Sequence, residues 1–343
     1  MSISLYAFAQ LFLSLLAMKT ATPLRFSFLG IVICLMSGCE ATLQFHEEDL
    51  KHLITVNALA TCQEPMQVFL YESRSFHEPG NWTPERIALK NAQVQMTVNN
   101  NAPIVFTYDS LQYCYTSDFK PKEGDVLVLE AQSNGFDPVV STTPILQSPP
   151  FEIVDYSTFY HKLNHDYLGE NPDWSGTDTV MTITATFKDP AEIKNYYRLS
   201  VRSLGPMGIL KAENDSLVKE TAVYNVNDLF TSSDMLFQDN NISTAHNGWP
   251  AHFSTIFDDA ICNGQSYTFT VETRQRQYSK DRPFVVIELQ HISEDFYKYL
   301  KALEIYNLSA NDIYAEPQYI PSNITNGIGI FGSLTATRHT LYF

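Results

Sequence analysis

Val180-Met181-Thr182-Ile183-Thr184-Ala185-Thr186-Phe187 decides the fold class of this chain. From Met181 onward the residues alternate apolar and polar, and most are β-branched or aromatic. A period of two puts Met181, Ile183, Ala185 and Phe187 on one face of a strand, whereas on a helix they would scatter around the axis. The same theme returns in Tyr196–Arg202, in Ser266–Thr273 and in Phe284–Leu289. One segment breaks it. Ser293 is placed to cap a helix, Glu294 and Asp295 follow where the helix dipole favours negative charge, and Phe296, Tyr299, Leu300, Leu303 and Tyr306 recur at helical spacing. That stripe reads as core.

The preceding half has the same character in shorter units. Leu53–Leu59 and Met66–Tyr71 flank a turn at Thr61-Cys62-Gln63-Glu64-Pro65, and Ala92–Val98 alternates until Asn99-Asn100-Asn101 ends it. Strands at 103–108 and 113–116 follow, and Pro121-Lys122-Glu123-Gly124-Asp125 turns the chain into Val126–Ala131. Short strands at this spacing describe an immunoglobulin-like sandwich. Thr143-Pro144 and Ser148-Pro149-Pro150 mark its exit. The fold class expected is therefore mainly β: an immunoglobulin-like β-sandwich over 52–148, then a larger β-rich domain over 149–343 with one or two short helices.

Leu35-Met36-Ser37-Gly38-Cys39 closes an apolar run and opens an acidic protein. A cysteine preceded by small residues and an apolar segment is what a bacterial lipoprotein signal peptidase cuts before, leaving Cys39 to carry lipid; two or more acyl chains make a stable anchor. Residues 1–38 are then the leader. Lys19 and Arg25 form its positive region and Phe26–Met36 its apolar region, so Met18 is the expected start, with Met1 the alternative. A membrane-spanning hairpin is disfavoured, because no later segment reaches the ~18 apolar residues that a span requires. Residues 39–51 form a polar tether whose acidic cluster, Glu47-Glu48-Asp49, comes too late to read as an export signal.

The chain carries 22 Lys and Arg against 38 Asp and Glu, a net charge of −16. Losing Lys19 and Arg25 leaves 20 basic residues and moves the net charge to −18. This argues against nucleic acid and against electrostatic attachment to anionic lipid. Cys62, Cys114 and Cys262 remain after processing. A disulfide between Cys62 and Cys114, both in the first domain, is one arrangement that an oxidising compartment permits; free thiols are the other. No CxxC or Cys/His spacing suggests a zinc site.

The sequence contains no Gly-x-Ser-x-Gly elbow, no His-Glu-x-x-His and no phosphate-cradling loop. His161 and His165 have the spacing of a helical metal pair, but no third ligand accompanies them and the segment reads as a loop. His246 and His252 flank Trp249-Pro250 and read as structural or surface residues. The stretch Asp166–Asp178, with Glu170, Asp173, Gly169 and Gly176, carries oxygen ligands without the helix–loop–helix calcium spacing, so a solvated acidic loop is the expectation. Trp82, Trp174 and Trp249 could stack on sugars or peptides, or pack at domain edges. No catalytic residue, metal or cofactor is assigned. A carboxylate hydrolase is disfavoured, since abundant Asp and Glu without placed geometry make no active site.

Several phrases carry a likeness: Ile87 to Val98 leading into Lys122–Val128, Phe257–Tyr267, the helix from Ser293 to Leu303, and above all Pro321-Ser322-Asn323-Ile324-Thr325-Asn326-Gly327-Ile328-Gly329-Ile330-Phe331-Gly332. With the lipobox, they resemble Bacteroidota lipoproteins of the domain-of-unknown-function 4249 family, across nearly all of the mature chain. The last phrase reads physically as a closing strand, its glycines permitting close backbone approach and Ile328, Ile330 and Phe331 supplying burial. The resemblance implies an outer-membrane lipoprotein that assists a TonB-dependent transporter in capture or assembly, with no catalytic residues to carry over. A structural or adhesion protein of the envelope is the alternative, and the ligand is unknown.

Overall fold

The computed structural model describes residues 51–74, 80, 83–162, 177–191, 193–213, 216–226, 230–240, 242, 252–276, 284–309 and 318–342. The chain is mainly β. Its first half contributes β1 (Ile54–Thr61), β2 (Met66–Glu72), a one-turn helix α1 (Pro84–Ile87), β3 (Gln93–Val98), β4 (Ile104–Val105), β5 (Thr107–Asp109), β6 (Cys114–Ser117), β7 (Val126–Gln132) and β8 (Val139–Pro144). Strands β1-β2-β6-β5 form one layer and β4-β3-β7-β8 the other. Alternate residues of both, such as Val56, Val68, Met96 and Leu129, meet in a single buried cluster.

The second half adds β9 (Phe151–Lys162), β10 (Thr177–Lys188), β11 (Tyr196–Glu213), β12 (Ser216–Val226), β13 (Phe230–Thr231), β14 (Ile256–Asp258), β15 (Ser266–Arg276), β16 (Phe284–Ile292), α2 (Glu294–Ser309) and β17 (Gly327–Tyr342). Strands β13-β15-β10-β9 make a third sheet. Met181, Ile183, Ala185 and Phe187 of β10 all point into a core that Tyr197, Leu199 and Val201 of β11 and Val285, Ile287 and Leu289 of β16 close from the facing sheet. Fully burying each of these larger side chains contributes about 1.5–3 kcal/mol.

The two halves are not separate bodies. Lys51–Phe343 forms one compact unit, so the boundary expected at 148/149 does not divide it. The reason is β17, which lies between β16 and β1 and runs parallel to β1 from Ile54↔Gly327 to Thr61↔Leu334. One sheet thus runs β12-β11-β16-β17-β1-β2-β6-β5 through both halves. A free-standing immunoglobulin-like sandwich would have no such strand; here the first layer is completed from the far end of the chain.

The phrase Pro321–Gly332 makes this junction. Asn323 brackets Phe331 as a strand neighbour would, accepting from its N–H at 2.9 Å and donating to its carbonyl at 2.8 Å. Thr325 and Val140 exchange backbone hydrogen bonds, which ties the phrase to β8. Helix α2 packs on the other face of the large sheet through Phe296, which is buried with Ile292 and Ile330. Ser293 precedes it as expected, but its hydroxyl oxygen accepts from Ser333 N–H of β17 at 3.1 Å. Tyr299 and Leu300 pack against that cluster, whereas Tyr306 is exposed.

Candidate functional sites in the β body

Cys39, and with it the expected lipidation site, lies outside the described residues, as do His165, His246, Trp82, Trp174, Trp249 and residues 166–176 of the acidic stretch. His161 belongs to β9, opposite Asp178 of β10, so it has strand and not helical geometry. His252 is exposed and its backbone holds the loop, donating to Ile242 O and accepting from Asp239 N–H.

Cys62 and Cys114 are both free thiols, which corrects the disulfide option. The register explains it. Cys114 lies level with Phe69 of β2, and Phe69 pairs with Asn57 of β1. Cys62 therefore sits five residues further along, with β2 intervening. At ~3.4 Å per residue the separation far exceeds the ~7 Å limit for a disulfide. Burial raises the pKa of both thiols, and that of Cys262 to about 12.

Three buried polar clusters stand out. In the first, Lys301 of α2 donates to Asp239 at 2.7 Å and to Ser254 Oγ at 2.7 Å, and lies 3.5 Å from Glu304. A serine this close to a lysine has the spacing of a nucleophile and its base. Here, however, the lysine is shared by two carboxylates, and Ser254 is 1% exposed with its own proton held among Ile256 O and Glu304 Oε2. The cluster pins α2 to the 239–254 segment. Burial holds the Glu304 carboxyl above its ordinary value against the pull of Lys301.

In the second, Asp189 accepts from Tyr197 Oη at 2.7 Å and from Gly264 N–H at 2.9 Å, while Asp259 accepts from Asn195 N–H at 2.8 Å. Cys262 is buried beside them. The third is Glu288 in the centre of β16, paired with Arg202 of β11 at 3.0 Å and with Arg338 of β17. It bridges three strands across the sheet face opposite the large core.

A shallow concave surface lies on the outside of the β4-β3-β7-β8 sheet. Gln93, Gln95, Glu130, Gln132, Pro138 and Val140 line an open groove of about 300 Å³. Gln95 Nε2 donates to Glu130 at 2.6 Å across its floor. Amide and carboxylate edges of this kind offer hydrogen bonds to a polar surface, beside an apolar strip of Ala131, Pro138, Val139 and Val140. Among the described residues no three His, Cys, Asp or Glu side chains converge as a metal site would require. Nor is any described helix long and apolar enough to cross a membrane.

Sequence reasoning named none of the three buried clusters. Lys301 and Glu304 lie three residues apart on α2, and nothing local in the sequence announces that Asp239 and Ser254 meet them.

Comparison with known proteins gives one informative match. No curated protein matches the chain. Among solved structures, a putative membrane anchored protein from Corynebacterium diphtheriae shares 10% identity over 70% of this chain, with a TM-score of 0.19. The chain spans about half of that protein's length (54%). A structure of manganese lipoxygenase of Gaeumannomyces graminis with part of zonadhesin of Komagataella pastoris shares 8% identity, covering 84% of this chain and 95% of that one, with a TM-score of 0.12. Likenesses so slight carry no argument. The family profile described as a domain of unknown function, DUF4249, matches residues 40–340. With the match covering nearly all of the β body, the chain belongs to the DUF4249 family.

Proposed function

We propose that this protein is a non-enzymatic lipoprotein of the outer membrane that acts as an accessory docking or binding component of a TonB-dependent uptake system. The observation that supports the reading best is the position of the family match. It starts at residue 40, one residue beyond Cys39, so the conserved family region begins where the lipobox would free a lipidated N-terminus. Cys39 would then carry the anchor and residues 40–51 would span the gap to the body. The buried clusters support a scaffolding reading, because each ties strands or α2 together through buried side chains. The groove on the first half is the natural place for a polar partner surface.

The test is a mild-detergent pull-down of the tagged full-length protein from its own outer membrane, with Cys39→Ala alongside and mass spectrometry of what co-purifies. Recovery of a TonB-dependent transporter that is lost with Cys39→Ala is the expected outcome. Recovery of adhesins alone would favour the structural envelope role, and recovery of nothing would overturn the docking reading.

A further inference from the structure

The dipeptide Asn-Gly occurs at 134–135, 247–248, 263–264 and 326–327. It carries its own chemistry. The glycine nitrogen can reach the carbon of the preceding side-chain amide, because no Cβ on the glycine blocks the approach. Whether it does so depends on how freely those few atoms can rearrange within the fold. Asn247 and Gly248 lie outside the described residues, which leaves three pairs to compare.

Two of them form the same turn. Phe136 N–H donates to Ser133 O at 3.2 Å, and Gln265 N–H donates to Cys262 O at 2.9 Å. The glycine of each turn has positive φ, +85° at Gly135 and +71° at Gly264, and both asparagines are exposed. Their surroundings differ. Gly264 N–H donates to the buried Asp189 at 2.9 Å, and a Cβ on Gly264 would meet Ala191 Cβ at 2.7 Å. That nitrogen is engaged and that turn is wedged in place. The third pair is held as well. Asn326 Nδ2 donates to Pro138 O at 3.1 Å, and a Cβ on Gly327 would meet Ile54 O at 2.6 Å. Gly327 also begins the pairing of β17 with β1.

Asn134 and Gly135 have none of these restraints. Among the described residues nothing accepts from Gly135 N–H or holds the Asn134 side chain, and nothing lies within 4 Å of a Cβ on Gly135. The pair sits in the connection between β7 and β8. Gln132 and Pro138, on either side of it, line the groove.

We infer that Asn134 is a site of spontaneous deamidation, selected by the fold from among the described Asn-Gly pairs, which adds negative charge at the end of the groove as the protein ages. Gly135 N gives its proton to a solvent base and attacks Asn134 Cγ. The new C–N bond closes a succinimide ring while the Cγ–Nδ2 bond breaks, and that nitrogen takes a proton and leaves as ammonia. Water then opens the ring at either carbonyl, giving aspartate or isoaspartate. Water enters, ammonia leaves, and nothing is oxidised or reduced. The inference goes beyond the transporter-docking reading and does not depend on it.

The test is peptide mapping of the full-length protein after incubation at mildly alkaline pH. Asn134 is the only asparagine between Lys122 and Lys162, so the tryptic peptide over that span reports it alone. In native protein Asn134 should convert progressively to aspartate and isoaspartate, while Asn263 and Asn326 stay intact. In urea all three should convert at similar rates, which isolates the contribution of the fold. Asn134→Gln should abolish the change in this peptide and leave the thermal midpoint where it was. An Asn134 that stays intact in native protein would overturn the proposal. So would native conversion of Asn263 or Asn326 at the rate of Asn134, or the same ranking of the three in urea.

Discussion

Gly329 stands so close to Val56 that a Cβ on it would collide with the Val56 carbonyl oxygen, and its φ is +111°. The contact lies in the parallel pairing of β17 with β1, where Val56 is opposite Gly329. Crowding and backbone conformation both exclude a side chain. Gly135 separates the two effects: its φ is +85°, but nothing lies within 4 Å of a Cβ there. Gly135→Ala should cost about 1–3 kcal/mol, the range for a non-glycine residue in a sparsely populated backbone region. Gly329→Ala should cost clearly more, because the added methyl must also push β17 off β1. Urea denaturation of the two variants checks the ranking; equal losses would mean the close approach is unimportant.

The neighbouring Gly332 has a different constraint. A Cβ there would meet Phe296 Cβ and Cγ at 2.8 Å, so α2 is seated directly on β17. Gly332→Ala should overpack this contact by about 1–3 kcal/mol. Phe296→Ala removes Cγ and the ring from this contact, so the double variant should lose less than the sum of the two single ones, a non-additivity that thermal melts of the four species would reveal.

Removing the charge that Asp239 and Glu304 share should be expensive. Lys301→Met removes the cation that lies between the buried Glu304 and the half-buried Asp239, and the expected loss is about 3 kcal/mol. Glu304→Gln should cost much less, since it removes a carboxylate that burial already disfavours in its charged form. If both variants melt alike, the cluster is not what pins α2.

His291 makes stability pH-dependent. Burial lowers its pKa below the ordinary 6.5, while its Nδ1 stays within 2.9 Å of Gln147 O. The folded state therefore favours neutral imidazole. This contribution is fully present above pH 6.5, and is lost as the pH falls through the depressed folded value. His291→Gln should flatten the stability profile on the acid side relative to wild type, as measured by denaturation at a series of pH values. An unchanged slope would exclude His291 as the source.

The three thiols should differ in reactivity. Cys62 is half-buried, while Cys114 and Cys262 are fully buried, and the Cys262 thiol is pushed up to about 12. Since the thiolate is the reactive form, a thiol reagent should modify Cys62 first and Cys262 last in native protein. All three should react together in denaturant, with no reductant needed to expose them.

Much of the local structure was legible in the sequence because it follows from one-sided burial. Met181–Phe187 alternates since one face of β10 meets the core, and the α2 stripe repeats at helical spacing since one side of that helix is covered. The length of β11 was not legible: the sequence marks a strand over Tyr196–Arg202, yet pairing with β12 carries it to Glu213. β9 escaped notice because Val154–Phe159 is exposed on both faces and so has no alternation to read. The joining of β1 to β17 was equally hidden. Glycines at 327, 329 and 332 announced close approach without saying to what, because the partner is set by topology and not by neighbours in sequence.

That joining has a consequence for how the protein comes into being. Ile54 cannot acquire its β17 partner until Gly327 has left the ribosome and reached the same compartment. Until then β1 and β16 both expose strand edges toward the vacant position. Contacts so distant in sequence slow folding and lengthen the exposure of such edges. The body should therefore remain unfinished, and a client for chaperones, until β17 is in place. Closure of the large sheet therefore waits on β17, whatever else of the sheet has formed before it.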